Sequence, residues 1–208
     1  MRETGWVGAV VERGWNTHWS RAIQTMLDVA HIPYVHPQTI GFAFGRALGR
    51  LTDPSLQVAL TPSSGGAFRL DWQVAAKDAA GPAADAGWLE FLPANGMSLG
   101  IPFKTPGRTS LLHIWCVPTS ETSSQMIVVS RRNWGLRNPF LGLFDLLTPV
   151  ILKEDRTIMD SAWPSEVPAP GVEVSMPSDA PTIAFQQYYH RTFRRGAAEV
   201  VSPVSQSA

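Results

Sequence analysis

RTSLLHIWCVPTSETSSQMIVVSRR, residues 108–132, decides the fold. Two runs within it, Thr109–Val117 and Gln125–Arg131, are dense in β-branched, aromatic and other apolar residues. Such residues pack well on a pleated, half-buried surface, so both runs read as strands. PTSETSSQ (118–125) between them is small, polar and opened by a proline, which reads as a hairpin connection. Working back toward the N-terminus, Gly87–Leu92, Ala67–Ala75 and Leu56–Thr61 share the same composition and are punctuated by Gly, Pro, Ser and Asn. AAKDAAGPAADAG (75–87) is low in complexity and reads as a loop, and Trp6–Val11 is a further short β-like run. Successive strands with turns between them predict one antiparallel sheet.

Helical spacing appears on both sides of this block. A helix is predicted from an N-cap at Asn16 or Thr17 to His31, with Ile23, Met26, Leu27 and Ala30 as its apolar stripe and Pro33 ending it. Residues 37–54 read as a loop or irregular helix. Two more helices are predicted at Pro139–Leu147 and Pro149–Ala162, the second with Thr148 as N-cap and Pro149 at its first position. Pro164, Pro168 and Pro170 end that pattern, and a last helix or irregular segment covers Pro181–Arg194. The expected fold is α+β: an antiparallel sheet with helices packed on one face, a helix-grip-like arrangement. One domain spans 1–195, and the small polar residues 196–208 form a flexible tail.

Composition narrows the function. The 208 residues are 44% hydrophobic, with zero formal net charge and a pI near 7.0. That balance gives no electrostatic reason for binding nucleic acid or an anionic membrane. No apolar run approaches the ~20 residues of a spanning helix. The opening MRETGWVGAVVERGW lacks the apolar core of a signal peptide, so a cytoplasmic location is expected. The single cysteine, Cys116, excludes an intrachain disulfide and an iron–sulfur cluster held by this sequence alone.

Two stretches carry chemistry. In QTMLDVAHIPYVHP (24–37), His31 follows Leu27 by four and continues the buried stripe, while Asp28 precedes His31 by three and is its neighbour. Pro33 breaks the helix and lets His36 fold back toward His31. The plainer alternative is a pair of buried, hydrogen-bonded histidines. In TPVILKEDRTIMDSAWP (148–164), Ile151, Ile158, Met159 and Ala162 make an apolar face with Asp155 in its middle, and Glu154 and Asp160 point elsewhere. A carboxylate there is costly unless it binds a metal or pairs with an arginine such as Arg21. Two inward histidines and one inward carboxylate are the parts of a facial triad that leaves positions open on iron(II).

Other residues attract plainer readings. His113 either faces a substrate pocket or, more plainly, is a packed or hydrogen-bonded core histidine. Trp15 and Trp19 pack, and His18 beside them is exposed. His190, with Arg191, Arg194 and Arg195, forms a basic patch that is either a solvated face or a dock for an acidic redox partner. Cys116 is a small buried residue. Gly65–Gly66 is a turn, since no Gly-Lys-Ser/Thr follows.

LDVAHIPYVHPQTIG resembles the iron-binding segment in the catalytic domain of Rieske non-haem iron oxygenases, in the branch of vanillate O-demethylase and the chlorophyll-related oxygenases. The family pattern is approximately Glu-Asn-x-x-Asp-x-x-His-x-x-x-x-His. EDRTIMDSAWP (154–164) and VEVSMPSDAP (172–181) resemble the same branch downstream. The resemblance implies one Fe(II) per chain, held by His31, His36 and Asp155, with Asp28 as the catalytic residue bridging to the cluster of a neighbouring subunit. It implies a mono- or dioxygenase that hydroxylates or demethylates an apolar or aromatic organic substrate with O2. Its electrons would come from a Rieske-cluster-bearing subunit or a ferredoxin/reductase, within a trimeric or hetero-oligomeric ring. Two departures stand out. The family's Glu-Asn falls on Gln24 and Thr25. The family's Rieske domain has no counterpart in this sequence, which fits either a cluster-less subunit or an excised domain. Two other readings stay open: a non-catalytic structural or ligand-binding subunit, and a zinc hydrolase on the same ligands.

Overall fold

The computed structural model describes residues 5–39, 56–74, 87–102, 107–136 and 143–194. Seven strands form one antiparallel sheet: β1 (Val7–Trp15), β2 (Leu56–Pro62), β3 (Phe68–Val74), β4 (Gly87–Leu92), β5 (Gly96–Pro102), β6 (Thr109–Pro118) and β7 (Ser124–Arg132). Their order across the sheet is β1-β7-β6-β5-β4-β3-β2. From β3 to β7 each strand pairs with its predecessor, and β1 closes the other side against β7, with Val7 opposite Arg132 and Trp15 opposite Ser124.

Strand β5 was not expected, because its glycines have low strand propensity. Its place depends on them. Gly100 lies opposite Trp88 of β4, and a Cβ on Gly100 would meet the Trp88 indole at 2.2 Å. Gly96 likewise lies against the Trp115 indole, at 3.1 Å. The glycines are the floor on which two neighbouring indoles rest. β1 is longer than predicted, running on to Trp15 because its whole length is paired with β7.

Alternation along the strands sends Phe68, Leu70, Leu89, Phe91, Met97, Ile114, Cys116, Met126 and Val128 to one buried face. Helices cover that face, as expected. α1 (Trp19–Leu27) brings Ala22, Ile23, Met26 and Leu27 to the core. A single turn, α2 (Ile32–Val35), follows it. α3 (Leu143–Met159) brings Leu152 and Met159, and α4 (Ala180–Phe193) brings Phe185, Tyr188 and Tyr189. Phe91 stacks on Phe68 and meets the rings of Phe185 and Tyr188 edge-on, which ties the sheet to α4.

Three helical details differ from expectation. α1 is capped by His18, whose side chain accepts from the Ser20 amide, and not by Asn16 or Thr17. The Asn16 amide donates instead to Asp160, and Thr17 is buried. His18 is therefore half-buried, not exposed. α3 is one continuous helix through Pro149, where two were expected with a cap at Thr148. Its buried stripe is Thr148, Leu152, Asp155 and Met159, spaced four, three and four, and this packing carries the run across the proline. Ile158, assigned to that stripe, is 45% exposed. The segments 40–55 and 75–86 and the tail 196–208 lie outside the described residues. Among those described, no helix is long and apolar enough to cross a membrane.

Candidate metal centre

The site begins where α1 ends. Asp28 leaves the helical conformation at φ −80° and ψ 98°, and its side chain accepts from the Ala30 amide at 2.8 Å. A short aspartate that satisfies a backbone donor two residues on ends a helix and starts a new turn. That turn is Val29–His31, a 3-10 turn. His31 therefore does not continue α1, as the spacing predicted. It is nevertheless directed inward, because the Asp28 carbonyl oxygen accepts from its Nδ1. α2 then closes with the His36 amide bonded to the Ile32 carbonyl at 3.0 Å, and His36 folds back so that the two imidazoles meet edge-on, 5.4 Å apart.

The third side chain comes from α3. Asp155 Oδ1 lies 2.9 Å from His36 Nε2 and 3.5 Å from His31 Nε2. His36 and Asp155 are buried, at 1% and 3% exposure, while the His31 side chain keeps 14%. The Asp155 position is as predicted, but the suggested ion pair with Arg21 is not formed. Arg21 pairs with Glu173 at 2.7 Å, and Gln24 joins the same carboxylate.

Glu154 corrects the helical-wheel reading. It turns back toward the site, and its Oε2 lies 2.8 Å from His36 Nδ1 and accepts from Thr39 Oγ1 at 2.7 Å. No periodicity marked Glu154 or Thr39 as site residues. The only sequence signal was the adjacency of Glu154 to Asp155.

These bonds dictate the protonation pattern. Both Nδ1 atoms face oxygen acceptors, a carbonyl for His31 and a carboxylate for His36, so both carry their proton there. In the neutral rings both Nε2 atoms are then left with lone pairs. Asp155 Oδ1 is buried and finds no aligned hydrogen-bond donor among the described residues. Three acceptor atoms thus converge within 4.8 Å of one another. Buried polar atoms are almost always satisfied, so a convergence of acceptors without a donor fits a cation. The donor set, two imidazole nitrogens and one carboxylate oxygen, suits iron or zinc.

Without a metal, the same cluster of acceptors draws a proton onto the His36 imidazole. Burial lowers the His36 imidazole, but Asp155 and Glu154 outweigh that and raise it above the usual histidine range. Burial raises the Asp155 carboxyl, and the adjoining imidazoles of His31 and His36 more than offset it, so it sits below the usual carboxylate range. Asp28 is pushed up, chiefly by burial.

The remaining candidates lie elsewhere. His113 alternates with buried Ile114 and so faces away from the helices, where it bonds Ser98 at 2.8 Å and stacks on Trp115. It shares no face with the three converging residues; it is hydrogen-bonded and packed, as the plainer reading expected, but on the sheet's other face. His190 Nε2 faces the Pro168 carbonyl at 2.9 Å, and Arg194 pairs with Glu166, so part of the basic patch is tied down. Cys116 is buried, which pushes its thiol up and leaves it unreactive. Gly65 and Gly66 form a turn at positive φ.

Solved structures share this architecture. NdmA of Pseudomonas putida CBB5, as the QL mutant with theobromine, superposes with a TM-score of 0.70 at 16% identity, over 95% of this chain and 53% of that one. NdmB of the same organism gives 0.68 at 20% identity, over 95% and 53%. Dicamba monooxygenase bound to dicamba gives 0.69 at 16%, over 94% and 61%. The fold is that of the catalytic domain of Rieske oxygenases. The sequence matches the model for the vanillate O-demethylase oxygenase C-terminal domain over residues 15–195, and the chain belongs to that family. It spans about half the length of the NdmA and NdmB chains. No individually curated protein matches it.

Proposed function

We propose that residues 1–195 form the mononuclear-iron domain of a non-haem iron oxygenase, with Fe(II) held by His31, His36 and Asp155. The observation that carries this reading is the convergence of two imidazole lone pairs on an orphaned buried carboxylate oxygen. When bound there, iron would supply the one-electron and dioxygen chemistry that side chains lack. The protein's part is positional. The Asp28 carbonyl and Glu154 orient the imidazoles, and burial of His36 and Asp155 excludes water from two sides. His31 is the partly exposed member, so the open approach lies on its side.

The family and its neighbours support an apolar or aromatic substrate, which would be hydroxylated or demethylated. Electrons would come from a Rieske-cluster-bearing protein, entering beside Asp28, which lies next to His31 at the end of α1. A trimeric or hetero-oligomeric ring would bring that cluster near. Soluble, cytoplasmic assembly suits such a system.

The test is metal analysis of anaerobically purified protein. A single iron per chain is expected, lost in His31→Ala and in Asp155→Ala. Full iron occupancy in either variant would sink the assignment, and stoichiometric zinc would favour a hydrolase. Oxygen uptake with a reductase and a cluster-bearing protein then tests the activity.

A further inference from the structure

We propose that Glu154 is a positioning residue for the metal centre: it fixes His36 as the Nδ1–H tautomer and aims Nε2 at the site. The proposal rests on the reading of His31, His36 and Asp155 as ligands.

The two histidines are held by different means. His31 Nδ1 is held by the backbone, through the Asp28 carbonyl one turn earlier. Any residue at position 28 would supply that carbonyl. His36 Nδ1 is held by a side chain 118 positions away, Glu154 Oε2 at 2.8 Å. Glu154 is in turn fixed by Thr39 Oγ1, which donates to the same oxygen at 2.7 Å. The chain Thr39–Glu154–His36 is thus a single line of bonds ending on one ligand.

This line decides which nitrogen is offered. A free imidazole presents either nitrogen, and a ring turned over would present Nδ1 and withdraw Nε2. A carboxylate on Nδ1 removes that choice and makes the other nitrogen a better donor. Glu154 stands next to Asp155 on α3, so the same helix supplies one ligand and the orientation of another. Any slide of α3 moves both together. Glu154 keeps 25% exposure, so it serves this role without being sealed in the core.

The experiment uses Co(II) added to the metal-free full chain, read by affinity and by proton NMR. The wild type should show two exchangeable, strongly shifted imidazole N–H signals, one per histidine. Glu154→Ala should weaken Co(II) binding roughly 10- to 100-fold. It should also lose one of the two signals to solvent exchange while the other stays. Glu154→Gln, whose amide oxygen still accepts, should retain both signals with affinity within a few-fold of wild type. Thr39→Val should broaden the same signal that Glu154→Ala loses, and it serves if the alanine variant does not fold. Two signals at wild-type affinity in Glu154→Ala would overturn the proposal. So would equal loss of both signals in Glu154→Ala and Glu154→Gln, which marks a merely structural residue. A wild type that binds no Co(II), or shows no shifted imidazole signal, overturns the ligand reading itself.

Discussion

At alkaline pH, where the imidazoles are neutral, Asp155→Asn should stabilise the metal-free protein, and it should abolish stabilisation by metal. The carboxylate oxygen Oδ1 is buried without an aligned donor and faces two imidazole nitrogens. An unsatisfied buried group costs about 1–3 kcal/mol, and more when charged. Asparagine keeps the shape, removes the charge and brings an N–H donor to where His36 Nε2 lies 2.9 Å away. Taking a gain of about 1–2 kcal/mol and ~2–4 °C per kcal/mol for a domain of this size, the melting temperature should rise by about 2–8 °C. The wild type should gain about 2.7 kcal/mol, or roughly 5–11 °C, with metal at 100 times its Kd. The assay is a thermal melt of chelated and metal-loaded protein at alkaline pH, where the imidazoles are neutral. A lower melting temperature for chelated Asp155→Asn than for chelated wild type would refute the orphaned-carboxylate argument. A full metal-induced shift in the variant would refute the ligand role.

Three further outcomes are expected. Glu166 accepts from Tyr189 and Arg194; burial raises its carboxyl, but these bonds outweigh it and hold it below the usual range. Its contribution is present above the unfolded-state value and lost as pH falls through the folded one, so urea titrations between about pH 5 and 3 should show a shallower stability loss for Glu166→Gln, and parallel curves would count against it. Glu173→Ala strands the buried amides of Gln24 and Gln186 together with Arg21, and should lower stability by about 1–3 kcal/mol, read as a lower urea midpoint at unchanged slope. Gly100→Ala forces the Trp88 indole off its floor and away from the Arg69 guanidinium, 4.7 Å from the ring; a red-shifted tryptophan emission and a loss of about 1–3 kcal/mol should follow, and unchanged emission would show that the strand yields instead.

The sheet was legible because its strands are dense in β-branched and aromatic residues and are bounded by Gly, Pro, Ser and Asn. β5 was not legible, since its glycines serve the indoles of neighbouring strands, and only the register reveals that. On α1 the stripe of Ile23, Met26 and Leu27 is buried as read, yet the helix stops before His31 because the Asp28 side chain competes for the backbone. On α3 the phase of the stripe was misjudged at Ile158 while Asp155 still fell inside it, since both versions of the face overlap there. Glu154 escaped because wheel position describes where a side chain leaves the helix. A long side chain can curl back across that boundary toward a partner that only the tertiary fold provides.

The meander that separates His36 from Glu154 by 118 positions also sets a clock for biosynthesis. At ~5–20 residues per second, a ribosome needs roughly 6–24 s to pass from one to the other. Throughout that interval the nascent chain presents His31 and His36 without Asp155. Two imidazoles alone favour copper or nickel over iron on intrinsic affinity. On the proposed ligand set, selectivity for iron could therefore not be imposed during synthesis, and metallation would follow the docking of α3.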